Sequence, residues 1–412
     1  MTTVQAKFQY KDLVIGFTTN FECRWHDMES GGKYNGAFWH PIIPPDMADF
    51  HPIGTLGWPG YGDININRIA VMAVVKDANG PAGDALCVPE RFELVWNDKG
   101  SGAKYNGSMW RPIPPEGYVA LGLVCNRNWG PPPPEDVRCV RSDLVVPARP
   151  GNGIWNDEET GSNTDFGAWD IRAPGAPAGE IFFSPGTFIG WASHLKPTTD
   201  PNAYALRLPI PQETPPDNPT PPVPVLNGYS RPSPFEQDTV AYSSILPWFT
   251  VKDPNLTPAA QLVHSPKYRL ERVDRYVLID HGYNDTSEIQ EFSWSFTIGT
   301  SKEKASTFSS TTSIELGGEW EIGFKFSAKL SQSFTYTETT TNGWSTALTK
   351  TIVARVPPHK ALAAYKIQST YTLFNTEGHA VTNDGVPYDT ESIYWTEYPR
   401  SRKPQVMVKM TH

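Results

Sequence analysis

Cysteine is scarce in this sequence: Cys23, Cys87, Cys125 and Cys139 are the four among 412 residues, and none forms a CxxC pair. The expectation is a protein made in a reducing cytosol, its thiols free or buried. Charge is thin as well, at 19 % of residues, and the 35 Lys and Arg are outnumbered by 44 Asp and Glu, for a net charge of −9. That balance excludes the basic footprint of a nucleic-acid binder. No apolar run reaches the roughly 18 residues that a membrane-spanning helix needs. The opening MTTVQAKFQYKDLVIGF has no basic region followed by a continuous apolar stretch, so a cleaved signal peptide is not expected. What the chain holds in excess is 40 Pro, 33 Gly and 12 % aromatic residues. This suits short strands, tight turns and large packed rings; helical bundles and disordered chains have other compositions. The length predicts at least two such domains.

An internal repeat organises the first half. Trp25-His-Asp27 leads through Gly31 and Lys33-Tyr34-Asn35-Gly36 to Trp39. Trp96-Asn-Asp98 leads through Gly102 and Lys104-Tyr105-Asn106-Gly107 to Trp110, and Trp155-Asn-Asp157 leads through Gly161 to Trp169. In each copy two tryptophans lie 14 positions apart, with Asp two and Gly six positions after the first. The third copy lacks Lys-Tyr-Asn-Gly. Strand-like segments follow each copy, and the Asp-x-x-Ser-Gly stretches carry the residues of hairpin tips. Three copies of one all-β unit predict three sheets around a pseudo-threefold axis, a β-prism. TLGW, RPIPPEGYVALG and RCVRSDLV, with the paired tryptophans, resemble the Vps62 family of β-prism domains over about residues 8–208.

Two sets of residues in the repeats are candidates for binding a receptor or glycan. The recurring Asp27, Asp98 and Asp157 have the chemistry to bind Ca²⁺ or sugar hydroxyls, and equally to cap turns by accepting backbone N–H bonds. Lys33, Tyr34 and Asn35, with Lys104, Tyr105 and Asn106, place an aromatic face beside an amide and a cation, which suits a sugar or a lipid headgroup. No HExxH, GxSxG or P-loop signature occurs, so no catalytic residues, metal or cofactor are expected.

Residues 209–235, PIPQETPPDNPTPPVPVLNGYSRPSPF, read as a stiff Pro-rich connector between a domain at 1–208 and one at 236–412. In the second domain, Ser/Thr-rich strands are interrupted by rings at even spacing. Phe308, Ile314, Leu316, Trp320, Ile322, Phe324, Phe326, Ala328 and Leu330 share one parity, whereas Glu319, Glu321, Lys325 and Lys329 fall on the other. A turn at Gly317-Gly318-Glu319 would pair Leu316 with Trp320, giving a hairpin at about Lys304–Ser331 with one apolar and one polar face. Each arm supplies the roughly 9–11 residues of a tilted membrane strand. One hairpin from each of several protomers would satisfy the backbone in a closed barrel. An ordinary amphipathic hairpin over a small core fits the same pattern.

Residues 290–375 resemble the C-terminal module of aerolysin-like pore-forming toxins (the aerolysin/ETX-MTX2 group). The matching elements are Ile298-Gly-Thr-Ser entering a Ser/Thr strand, the Gly-containing hairpin, the return TYTETTTNGWS, and VARVPPHK with a strand after it. The resemblance implies a soluble monomer or dimer, released or secreted by a non-classical route. It further implies binding to a cell-surface glycan or protein receptor, homo-oligomerisation, and barrel insertion into a target plasma membrane. An insecticidal or other host-directed bacterial toxin is the biology it implies. The alternatives are a lectin-like or membrane-trafficking binding protein without a pore and, more remotely, an enzyme acting on polysaccharide.

Overall fold

The computed structural model describes residues 7–400 except 67–69, 178–179, 210–211, 214–220, 236, 252, 301–302, 305–325, 329–346 and 383–384. The expected all-β class is what it shows: the described residues form strands, joined by short 3-10 turns and one helix, Pro258–His264. The chain divides into two compact units. The first comprises Met1–Ile210, Leu246–Lys267 and Gly318–Ser331, and the second Pro211–Ile245, Tyr268–Gly317 and Gln332–His412.

In the first unit each sequence repeat builds one three-stranded antiparallel sheet. The first sheet joins Phe21–His26, Gly36–Pro41 and Leu56–Pro59, and the second Arg91–Asn97, Ser108–Ile113 and Val124–Asn126. The third joins Arg149–Asn156, Gly167–Arg172 and Phe188–Trp191. All three have a register shift at the same place, between Cys23 and Trp25, Leu94 and Trp96, and Gly153 and Trp155. A bulge there re-aims the side chain that follows. It turns Trp25, Trp96 and Trp155 into one buried cluster with Phe38, Met109, Phe166 and Phe188.

Three further sheets complete the unit. One joins Phe8–Tyr10, Leu13–Thr18 and Met72–Asp77, and another Tyr118–Val119, Cys139–Arg141 and Leu86–Cys87. The last joins Val145–Pro147, Tyr204–Pro209, Glu180–Phe183 and, at its edge, Phe326–Ala328. The edge strand pairs Ala328 with Ile181 and Phe326 with Phe183. Of the hairpin residues predicted above, Phe326 and Ala328 alone belong to this strand. Phe308, Ile314, Leu316, Gly317, Gly318, Trp320, Ile322, Phe324 and Leu330 lie outside the described residues. The unit also recruits chain from beyond residue 208: Trp248 and Phe249 pack edge-on or tilted against Phe17 at 5.4 and 5.3 Å. The helix behind them begins at Pro258, with Thr257 Oγ1 accepting from Ala260 N.

The second unit is built on long strands. Gln212–Glu213, Thr239–Pro247, Lys267–Asn284, Lys360–Phe374 and Val386–Tyr398 form a five-stranded sheet in that order. Gln290–Ile298 and Leu348–Val356 form a separate two-stranded ladder. The even-numbered residues of this ladder, Trp294, Phe296, Ile352 and Ala354, are buried against Ile279, Leu362, Ala364, Ile393 and Trp395 of the larger sheet. The odd-numbered Ser293, Ser295, Thr351 and Arg355 face outward, the period of a half-covered strand. Part of the Pro-rich segment is not a free spacer. Its extended backbone lies on the large sheet, with Leu226 buried against Tyr276, Ala361 and Ile367 and its N–H donated to Thr396 Oγ1 at 3.2 Å.

His40, on the strand Gly36–Pro41, is buried, and its Nδ1 lies 3.4 Å from Thr55 Oγ1. Burial, aided by the Arg24 charge, pulls its pKa down to about 3 from an ordinary 6.5. Between those values the unfolded chain takes up a proton that the folded chain refuses. The stability at stake is complete above the unfolded pKa and is lost as pH falls toward the folded one, at up to about 1.4 kcal/mol per pH unit. The urea midpoint of the first unit should therefore drop between pH 7 and pH 4.5, and His40→Gln should shallow that drop. An identical slope in the variant would refute the assignment.

Candidate functional site

The three bulged tryptophans meet edge to face, with ring centroids 5.2, 5.2 and 5.6 Å apart and planes inclined by 69°, 71° and 71°. An indole N–H this deeply buried needs an acceptor. Trp25 Nε1 donates to Asp98 Oδ2 at 3.0 Å, Trp96 Nε1 to Asp157 Oδ2 at 2.9 Å, and Trp155 Nε1 to Asp27 Oδ2 at 2.9 Å. Donor and acceptor always belong to different repeats, so the bonds close a three-membered ring. Each indole also reaches a carbonyl of the same neighbouring tip: Tyr105 O, Thr164 O and Tyr34 O at 2.9, 3.0 and 3.1 Å.

Close approach of the rings demands room. A Cβ at Gly36 would stand 2.4 Å from Trp155, and one at Gly107 would stand 2.2 Å from Trp25. The third repeat solves the problem differently. Phe166 occupies the equivalent position and stacks on Trp96 at 5.4 Å, while Ala168 stands where the other copies carry Phe38 and Met109. A large and a small residue have exchanged places within the core.

Asp27 and Asp157 use their second oxygen on their own hairpins, and all three aspartates are held by a clasp from the loop after the third strand. Asp27 Oδ1 accepts from Gly36 N at 2.9 Å and Asp157 Oδ1 from Phe166 N at 2.7 Å. The clasps are the Tyr61 hydroxyl on Asp27, Trp129 Nε1 on Asp98 at 2.7 Å, and His194 Nε2 on Asp157 at 2.7 Å. Burial and then the Asp27 hydrogen bond push the Tyr61 phenol well above its ordinary range. Sequence reasoning missed these three residues. Their signal was present: Tyr61 and His194 each lie three positions after a tryptophan, in GTLGWPGY and GTFIGWASH.

Asp27, Asp98 and Asp157 are thus buried ties between repeats. Asp157, Asp165 and His194 also bring three ligand atoms within 4.8 Å of one another. However, Asp157 is already engaged by Trp96, Phe166 and His194, and the trio reads as the third clasp.

Lys33, Tyr34, Asn35, Lys104, Tyr105 and Asn106 are all exposed, at the tips that the ring holds together. Adjacent tips are also joined by backbone bonds donated in the opposite cyclic sense to the indole bonds: Lys33 N to Glu158 O, Lys104 N to Met28 O, and Asn163 N to Lys99 O, each 3.0 Å. Left-handed backbone at Glu29 (φ 73°) and Glu159 (φ 70°), where the second copy has Gly100 (φ 88°), makes the turn. Lys33 Nζ pairs with Glu158 at 3.1 Å and lies 5.4 Å from the Tyr34 ring centroid. Lys104 Nζ lies 3.9 Å from Glu29 and 5.6 Å from the Tyr105 centroid. These exposed ion pairs contribute little to stability; they hold each cation beside a ring. Around them lie His26, 5.6 Å from Tyr105, and Trp129, with Lys99 Nζ 4.6 Å above its ring. Desolvation lowers the His26 pKa.

A bulged tryptophan in each of three like sheets, bonded across to the next repeat's aspartate, defines the first unit as a threefold-repeat β protein. The Vps62 family model, described as vacuolar protein sorting-associated protein 62, matches residues 5–250, more than half of the chain. The chain belongs to that family. Its structure is also similar to that of GNIP1Aa from Chromobacterium piscinae, with 26 % identity and a TM-score of 0.38. That match covers 46 % of this chain and 34 % of GNIP1Aa, so this chain matches only about a third of that protein's length. Cry35Ab1 is similar at 12 % identity and a TM-score of 0.32, over 76 % of this chain and 89 % of that one. The oligomeric pore-forming toxin pro-monalysin is similar at 10 % identity and a TM-score of 0.17, over 34 % and 65 %. No curated protein matches the sequence.

Removing Asp27 from the ring leaves Trp155 Nε1 with the Tyr34 carbonyl alone, strips Gly36 N and the Tyr61 hydroxyl of their acceptor, and opens a core gap. Asp27→Ala should lower the unfolding free energy by about 2–4 kcal/mol, whereas Tyr34→Ala, on the exposed tip, should change it by no more than about 0.5 kcal/mol. Denaturant titration of both variants is the check. Equal effects would mean that the ring does not carry the unit.

Proposed function

We propose that this chain is a β-pore-forming protein rather than an enzyme. In this reading the tips of the first unit bind a cell-surface glycan or receptor, several copies assemble, and the segment at about 304–331 inserts as a hairpin from each. The observation that carries the reading is the way the Gln290–Ile298 and Leu348–Val356 strands frame that segment. Ile298 is paired with Leu348, and Ala347 N donates to Thr300 O at 2.9 Å, so the chain leaves and re-enters at one end of a single antiparallel ladder. The ladder buries its even-numbered side chains, and the apolar residues of the intervening sequence have the same parity. A ladder lengthened through them would have one continuous apolar face, as a lipid-facing barrel strand requires. The pairing of Phe326–Ala328 with the edge strand Glu180–Phe183 supplies a resting place for part of the segment in the soluble form.

For the tips, Tyr34 and Tyr105 offer exposed faces with an amide and a cation at hand, the arrangement that stacks on and hydrogen-bonds a sugar. Membership of the Vps62 family favours one alternative, a trafficking or lectin-like binding protein without a pore.

Dye release separates these readings, and a glycan array tests the tip assignment that they share. Phe324→Asp or Phe326→Asp should abolish dye release from susceptible membranes by tenfold or more while leaving membrane binding intact. Undiminished release would remove 304–331 as the inserted segment. On a glycan array, the full chain should bind, and the Tyr34→Ala/Tyr105→Ala double variant should lose at least tenfold in affinity with an unchanged melting temperature. Equal binding by both would move the ligand site elsewhere.

A further inference from the structure

We propose that Cys87 and Cys139 are an oxidation site, closing into a disulfide when the protein meets a small-molecule disulfide. They are direct partners in an antiparallel ladder, with Cys139 opposite Cys87 and Val140 opposite Leu86. Their side chains are hydrogen-bonded to each other. Directly opposed residues have Cα atoms about 4.5–5.5 Å apart, inside the roughly 4.4–6.8 Å that a disulfide accepts. Both side chains project to the same face, so closure needs rotamer changes and no sheet rearrangement.

The placement is selective. The sheet of Leu86–Cys87, Tyr118–Val119 and Cys139–Arg141 has strands of two, two and three residues. The sheet around Leu13–Thr18 and Met72–Asp77 pairs six-residue strands, and Glu180–Phe183 pairs along Tyr204–Pro209 for four residues; neither of these sheets contains cysteine. The cysteine pair thus sits in the shortest of the three ladders, where a covalent link adds most. A bond there would close the chain around the whole second repeat, including the Lys104–Asn106 tip. The other two cysteines are engaged differently: Cys23 Sγ donates to Trp25 O at 3.8 Å and the buried Cys125 to Asn126 O at 3.9 Å.

The chemistry balances as two exchanges. Cys87, the more exposed of the two, attacks one sulfur of oxidised glutathione and releases a first glutathione thiol. Cys139 then attacks Cys87 Sγ and releases the second, so two protein thiols are oxidised and one small disulfide is reduced to two thiols. Burial raises Cys87 to about 11 and Cys139 to about 12, which keeps both protonated at neutral pH and the dithiol persistent in thiol-rich solution.

The test uses the full chain, incubated to equilibrium with oxidised glutathione at pH 8.5 and compared with the reduced protein. Thiols titratable after denaturation should fall from four to two, and a non-reducing peptide map should join the Cys87 and Cys139 peptides. The melting temperature should rise by several degrees and return on reduction. Cys87→Ser should show neither the linkage nor the shift. Four persisting thiols, an unresolved glutathione adduct on Cys87, or a linkage that joins Cys23, Cys125 or two chains would each overturn the proposal.

Discussion

Everything in the first unit depends on one closed cycle, three indole N–H groups donated to three aspartates of the neighbouring repeats. A buried indole without an acceptor and a buried carboxylate without a donor are both costly. Because its acceptors sit on a neighbouring repeat, no hairpin can satisfy its own indole. The three sheets must therefore close together or not at all. The bulge before each tryptophan, the glycines at 36 and 107 and the Phe166/Ala168 exchange are the local conditions that let three large rings share one space. The cycle also fixes the tips, so the exposed Lys-Tyr-Asn side chains are mounted on a rigid base rather than on free loops. Such a base limits the entropy lost on binding.

The second unit works on a different principle. Its strands are long and its ladder half covered, with rings on one face and Ser, Thr and charged residues on the other. Serine and threonine tolerate both water and a protein surface, which suits the soluble-then-inserted segment of the proposed function. In the proposed function the two units divide the work: one recognises a surface, and the other supplies strand to cross it.

The repeat was legible because Trp, Asp and Gly recur at fixed spacing, and the all-β class because Pro, Gly and rings dominate. The partner of each aspartate was not legible, since a hydrogen bond between repeats leaves no mark within one. A turn cap, a sugar ligand and an indole acceptor all call for the same carboxylate. Tyr61, Trp129 and His194 escaped notice because they differ in type while sharing a role. The Pro-rich run read as a spacer because proline cannot pair in a sheet; that Leu226 would anchor it on the second unit could not be seen from composition. Trp248 and Phe249 belong to the first unit although they lie after the connector, a placement that only the packing around Phe17 reveals.

The most direct measurement of the central claim is electron microscopy of receptor-bearing cell membranes after incubation with the full chain, with single-channel recording on the same preparation. The account predicts ring-shaped oligomers together with stepwise, uniform conductances. Bound particles that remain monomeric, with no conductance at any concentration, would contradict it and leave a binding protein in its place.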